Sequence, residues 1–405
     1  MNMKSHIHVW KRILHWLLGI FLAFLLLSGA FIAVLSFKPA LGAKGADLLR
    51  NIFGDKMVAV LESNIYNAED TIKQWAYNLG WTPKIIPVGI PVPLKVALAT
   101  PSFTTTLEAV PAITPSLPNS TPVASDSWNP AALVPLKNIN GETGWTAYLQ
   151  AITGQTVADL TSFQPDPKRP YALAAVVAFN LDRTQLHFVL GTIEPYSPNS
   201  PPRSGAIPTA DRAPGVLLAM FNGGFKAHQG EFGAMSDGIV ALPPRDGLGT
   251  LAIDSQGGVH IGVWGKDISS STNWVSWRQN GPLIIQQGVI TPEVYTPLPG
   301  DWGDSVTAPT PIWRSGIGLS ADSKTLYYAC GPSLTIESLA NSLLAVGSIN
   351  AMQLDVNNYW VHFVGVSTDG KKLILTPLFP KQMNENIDRY LWNYERDYFY
   401  VTVKQ

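Results

Sequence analysis

One carboxylate, Asp355, closes the apolar run AMQLD, and Val356, Asn357, Asn358, Tyr359 and Trp360 follow it. A carboxylate at such a place can act as a nucleophile or general base. Asn357 and Asn358 offer amide hydrogen bonds, and Tyr359 or Trp360 offers a stacking face. Arg314 sits in the apolar, small-residue run TPIWRSGIGLS, where an unpaired guanidinium is costly, so it should face an anion or a carboxylate. Asn222, Gly223, Gly224 and Phe225 follow the apolar run LLAMF, and the two glycines let backbone N–H groups approach a ligand closely. Asn280, in WRQNGPLIIQQG, lies in a polar loop that leads into an apolar strand and is a further hydrogen-bonding amide. Asp237, in MSDG, and Glu231 are the acids near the glycine pair from which a second carboxylate could come.

Each of these residues also has a purely structural reading. Asp355 fits a strand-end acid bonded to the next turn, with Arg314 as its buried ion-pair partner. The glycine pair fits a tight turn, and Asp237-Gly238 an ordinary turn dipeptide.

Composition narrows the chemistry. A net charge of -1 leaves no basic field for nucleic acid. The one cysteine, Cys330, ends the apolar run TLYYAC and reads as a buried thiol; intrachain disulfides and paired-thiolate metal sites are excluded. The histidines have neither HxH nor HExxH spacing, and there is no GxSxG elbow, GxGxxG or Walker loop. No metal site or cofactor is assigned, although a lone DxD or DxN divalent-cation site stays open.

The elements that must position these residues read as follows. YALAAVVAFN (171–180) and QLHFVLG (185–191) are consecutive strands, the first apolar on both faces. TLAID and VHIGVW flank DSQGG as a hairpin. LTIESLANSLLAVG (334–347) has apolar residues at i, i+3, i+4, i+7 and i+8, with Thr335 as cap and Gly347 at its end; INAMQLD then returns as a strand carrying Asp355 to a sheet edge. The tail 385–405 is rich in aromatics, and its DYFYVTV reads as a strand closing the domain. The fold class expected is α+β, a mixed twisted sheet with packed helices.

Residues 13–37 contain no Asp, Glu, Lys or Arg and exceed the roughly 20 apolar residues that cross a bilayer. They are expected to form an uncleaved transmembrane anchor after a short cytoplasmic N-terminus, 1–12. Basic residues are almost tied across the run, and the body is placed outside because a spacer follows. The expectation is therefore a single-pass plasma-membrane protein with an extracytoplasmic C-terminal domain. Residues 38–81 follow with helical periodicity broken near Gly54 and Asn64, a membrane-proximal stalk or packing helix. Residues 82–130 are a Pro/Thr-rich linker, and 131–405 the globular domain.

In content and order, NGGF (222–225), PLIIQQG (282–288), RSGIGLS (314–320) and GPSLTIESLANSLLAVGSINAMQLD (331–355) resemble the phosphodiester glycosidase family, over about residues 165–366. The resemblance implies a hydrolase of sugar-1-phosphodiester linkages in an envelope or exported glycan. It assigns catalysis to Asp355, as nucleophile or base at the anomeric carbon, and to Arg314, as the phosphate-binding cation. NGGF would supply backbone donors, Asn280, Asn357 and Asn358 would bond sugar hydroxyls, and Tyr359 or Trp360 would stack on the ring. In that family the Leu-Asp pair is followed by a glycine-rich, serine-ending loop; here Val356 and Asn357 stand in its place. A non-catalytic module that binds a glycan or cell-wall polymer on the same fold is the rival reading.

Overall fold

The computed structural model describes residues 39–81, 128, 130, 132–133, 144–298, 300–302 and 309–404. Its body consists of three β-sheets. The first has eight strands in the order β1 (Thr146–Gln150), β2 (Thr156–Phe163), β3 (Ala174–Asn180), β14 (Thr325–Leu334), β13 (Ile312–Leu319), β15 (Asn350–Val356), β11 (Leu283–Gln286) and β12 (Val289–Ile290). The second runs β7 (Ile239–Leu242), β6 (Ala234–Ser236), β10 (Trp274–Gln279), β8 (Gly249–Asp254) and β9 (Val259–Val263). The third runs β17 (Leu373–Pro377), β16 (Phe363–Thr368), β5 (Leu217–Asn222), β18 (Tyr398–Val403) and β4 (Thr184–Val189).

The expectation of a mixed α+β sheet is overturned. Every ladder between named strands is antiparallel, and three α-helices occur among the described residues. Two of these, α1 (Pro39–Phe53) and α2 (Asp55–Asn78), form an N-terminal hairpin, so only α3 (Ile336–Ala345) packs inside the body. The misreading has a physical cause in β3. Its Ala175, Val177 and Phe179 enter the core shared by the three sheets, while Ala174, Val176 and Ala178 pack on the α3 side. A strand covered on both faces is apolar throughout, whether or not its sheet is parallel. The transmembrane part of the expectation gains no support either: among the described residues no helix is long and apolar enough to cross a membrane. Residues 13–37, the N-terminal 1–12 and nearly all of the expected linker 82–130 lie outside the described residues.

One core lies between the sheets, and a second lies between the first sheet and α3. Between the first and third, Phe221 stacks 5.9 Å from Phe363 and 5.5 Å from Phe399, and Phe179 and Tyr328 pack against it from the facing sheet. Offset and tilted rings at such spacing add specific geometry to the large area they bury. On the other face of the first sheet, Leu339, Ala340 and Leu343 of α3 press into the second core.

The connection β14–α3–β15 matches the expected helix-to-strand return. Thr335 Oγ1 accepts from the Ser338 N–H at 3.1 Å, Ser338 Oγ accepts from the Thr335 N–H at 2.8 Å, and Gly347 takes φ 86° past the C-terminus. Strands β14 and β15 both flank β13 antiparallel, so α3 carries the chain across one strand and brings Val356, the residue after Asp355, opposite Arg314. The expected hairpin around DSQGG is β8–β9, with Gly257 at φ 81°.

Replacing Thr335 with alanine removes the α3 cap. Stability is expected to fall by about 1 kcal/mol, lowering the midpoint in a calorimetric thermal scan by about 2–4 °C.

Candidate functional site

Three strand ends converge where the first and third sheets meet. β15 ends in Asp355-Val356, β5 ends in Asn222 before Gly223 and Gly224, and β18 starts one residue after Arg396-Asp397. Asn222 joins the two sheets at this corner. Its Nδ2 donates to Ser315 Oγ at 2.9 Å, and Ser315 Oγ donates to the Asp355 carbonyl at 2.9 Å. Its Oδ1 accepts from Tyr328 Oη at 2.8 Å and from the His362 N–H at 3.2 Å.

The partner of Asp355 is Arg396. Arg396 Nη2 lies 2.5 Å from Asp355 Oδ2 and donates to the Gly224 carbonyl at 2.8 Å. Burial pushes the Asp355 carboxyl up to about 6, against the pull of Arg396 and of the Val356 N–H that donates to Oδ1 at 2.8 Å. Burial also works against the Arg396 charge, but Asp355 and Asp397 outweigh it and hold the guanidinium above its ordinary value.

The next residue forms a second pair. Asp397 Oδ2 accepts from Arg278 Nε at 2.8 Å and from the Gly224 N–H at 3.0 Å, with both side chains buried. Its Oδ1 is buried with no hydrogen-bond partner. Arg278 also donates to the Phe225 carbonyl at 2.6 Å, so both ion pairs clamp the same loop.

The aromatic lid of this corner comes from the stretch after Asp355. The Trp360 ring receives the Arg396 guanidinium at 4.3 Å and Lys226 Nζ at 5.1 Å. Tyr359 packs edge-on against Trp360, 4.7 Å away, and holds the Arg389 guanidinium over its own face at 4.7 Å. Asn357 adopts φ 83°, a left-handed conformation that asparagine tolerates better than most residues. Its Oδ1 accepts from the Tyr359 N–H at 2.9 Å.

A small cavity opens beside Asp355, Asn357 and Trp360, and the N-terminal hairpin roofs it with Arg50, Glu62 and Tyr66. Its volume is about 20 Å³, room for a water and not for a sugar ring. Polar contacts fasten this roof: Asp47 to Lys226 at 2.8 Å, Tyr66 Oη to Asn357 Nδ2 at 3.3 Å, and Asp70 to Arg169 at 2.8 Å and Tyr171 at 2.7 Å.

Several candidates from the sequence serve other ends. Arg314 is fully buried and donates to the carbonyls of Leu334 and Thr310 at 2.9 and 3.0 Å, and to Gln353 Oε1 at 2.7 Å. Burial pulls its guanidinium down to about 9. The N–H groups of Gly223, Gly224 and Phe225 are taken by the Asp397 carbonyl, Asp397 Oδ2 and Asn280 Oδ1. Asn280 is itself buried and donates to the Gln353 and Leu354 carbonyls. Asp237 is exposed at φ 49° on the β6–β7 turn and does not line the cavity. Asn358 is partly exposed between Asn357 and Tyr359. The structure thus gathers Asp355, Asn357, Tyr359 and Trp360, and leaves Arg314, Asn280 and the NGGF amides as framework. Among the described residues no group of three or more His, Cys, Asp or Glu side chains is placed to hold a metal.

Arg396, Asp397, Arg278 and Lys226 were missed by the sequence reading. The one available signal was two adjacent opposite charges directly before the apolar strand YFYVTV, which must enter the interior.

No family model matches the chain, and no curated protein matches it in sequence. Among solved structures, the chain is similar to the catalytic domain of zebrafish N-acetylglucosamine-1-phosphodiester alpha-N-acetylglucosaminidase, auto-inhibited by its pro-peptide. The identity is 14%, the TM-score 0.41, and the match covers 64% of this chain and 87% of that one. A hypothetical protein from Synechocystis matches at 10% identity and a TM-score of 0.36, over 63% of this chain and 64% of that one. A putative exported protein from Burkholderia pseudomallei matches at 11% identity and a TM-score of 0.28, over 57% and 74%.

A methyl group on Gly223 would run into the Asp397 carboxylate. Gly223→Ala is expected to cost about 1–3 kcal/mol, read as a lower urea midpoint with unchanged slope.

Proposed function

We propose that the corner at Asp355 is the site of a glycoside hydrolase acting on a sugar linked through its anomeric carbon to a phosphodiester. The observation that carries this reading is the buried Asp355–Arg396 pair with the Trp360 ring stacked on its cation. It places a carboxylate, two cations (Arg396 and Lys226) and an aromatic face within one corner. Those are the groups that a ring bearing a phosphate needs. The leaving group is a phosphate monoester, already anionic and stable, so strong general-acid help is unnecessary. Asp355 attacks the anomeric carbon as its bond to the phosphate oxygen breaks, and water then cleaves the glycosyl ester; alternatively Asp355 takes a proton from the attacking water. Arg314, bound to carbonyls and Gln353, supports the strand end in this scheme, and Lys226 and Arg396 take the phosphate. Entry of the sugar requires α1 and α2 to move off the cavity, since the space beneath them holds no ring.

A second reading, a non-catalytic glycan-binding module, draws support from the commitment of Asp355 to Arg396 and from the amide-rich, aromatic stretch 357–360.

Incubating the full chain with a panel of sugar-1-phosphodiesters separates the two. The hydrolase reading expects release of free sugar, lost at least about a hundredfold in Asp355→Asn. Binding without product favours the module, and wild-type turnover by Asp355→Asn removes Asp355 from the mechanism. The pH profile gives a further check. Asp355 works ionised, so kcat/KM is expected to climb with pH on the acid side and level off above about 6. Removing the Arg396 charge takes away an influence that lowers the carboxyl, so Arg396→Gln moves that limb to higher pH, by about 1–3 units.

A further inference from the structure

The hairpin that roofs the cavity is amphipathic in the opposite sense to a helix packed in water. Its polar side faces the protein: Glu62 and Tyr66 line the cavity, Asp70 pairs with Arg169, and Lys73 Nζ donates to Ser333 Oγ at 3.1 Å. Its apolar side faces outward. On α2, Met57, Val60, Leu61, Ile65, Ile72 and Trp75 repeat at i, i+3, i+4, i+8, i+15 and i+18, which is one helical stripe, and all six are exposed. On α1, Leu41, Leu48, Leu49 and Ile52 repeat at i, i+7, i+8 and i+11 and are exposed too, Leu48 at 61% and Ile52 at 63%. An apolar face of this extent left in water is rare and marks an interaction surface.

What covers it is indicated by the chain that leads into it. Residues 13–37 contain no Asp, Glu, Lys or Arg, and α1 begins at Pro39, two residues after that run ends. A run of that length and composition favours an apolar phase over water, and α1 follows it directly in the chain. Trp75 and Trp81, exposed at the far end of the hairpin, are of the type that settles at a membrane–water interface.

We propose that the exposed stripes of α1 and α2 lie on the surface of a lipid bilayer, sunk to the headgroup–acyl boundary, with the polar side of the hairpin turned toward the body. The surface binds acyl chain and headgroup region and is independent of any activity at Asp355. Amphipathic helices with a wide apolar stripe bind membranes in this orientation.

The native cysteine, Cys330, is fully buried, so introduced cysteines can be labelled selectively. The full chain is reconstituted in phosphatidylcholine–phosphatidylglycerol vesicles with an environment-sensitive dye at Met57→Cys, Val60→Cys or Ile72→Cys, and at Lys371→Cys on an exposed turn as reference. The expected result is a blue shift at the three hairpin positions and loss of their emission to nitroxide-bearing lipids, with the reference unchanged. Hairpin labels as wet as the reference overturn the proposal. So do labels that are shielded yet untouched by lipid nitroxides, because another segment or a second copy would then cover the stripe. Circular dichroism and thermal midpoints of the labelled chains confirm that each variant is folded.

Discussion

The ion pair between Asp355 and Arg396 decides how this corner of the molecule is built. Both groups are withdrawn from water, a state tolerated only when the charges meet each other and their remaining hydrogen bonds are made. Arg396 therefore also caps the Gly224 carbonyl and stacks on Trp360, and its neighbour Asp397 binds Arg278 and the Gly224 N–H. One dipeptide at the start of β18 thus ties the end of β15 to the loop after β5. Removing either member of a buried pair strands the other charge, at a cost of about 3–5 kcal/mol. The same withdrawal from water raises the Asp355 carboxyl toward neutrality, which a base or nucleophile working near pH 7 needs.

The hairpin adds a second constraint. It lies over the cavity with its charged side inward and fastens itself by partly exposed ion pairs such as Asp47–Lys226. Contacts of that kind are individually weak in water, typically below about 1 kcal/mol. A roof held by a few of them can lift without disturbing the aromatic core beneath, where Phe221 and Phe363 of the third sheet pack against Phe179 and Tyr328 of the first.

Local structure was legible in the sequence wherever one element decided it. The α3 helix, its Thr335 cap, the Gly347 stop and the return strand ending in Asp355 all follow from spacing and end residues. The break at Gly54 was legible too, although α2 runs unbroken through Asn64. Relations between distant segments were not. The consecutive strands at 174–180 and 184–189 part into different sheets, and nothing in their residues says so. The sequence places Arg314 against an anion or a carboxylate, whereas the carbonyls of Leu334 and Thr310 and the Gln353 side chain receive its hydrogen bonds. The cation that does meet Asp355 lies 41 positions along the chain, at the edge of an aromatic tail. In the stretch after Asp355, asparagine at 357 supplies a left-handed turn, and Trp360 turns its ring onto the Arg396 guanidinium.

What occupies the corner at Asp355 decides its function. A crystal structure of the full chain with a hexose 1-phosphate addresses that directly. The ring is expected against Trp360, with the anomeric carbon at Asp355, the phosphate on Lys226 and Arg396, and the α1–α2 hairpin displaced. A ligand bound elsewhere, or a hairpin still closed over Asp355 at saturating ligand, would contradict it.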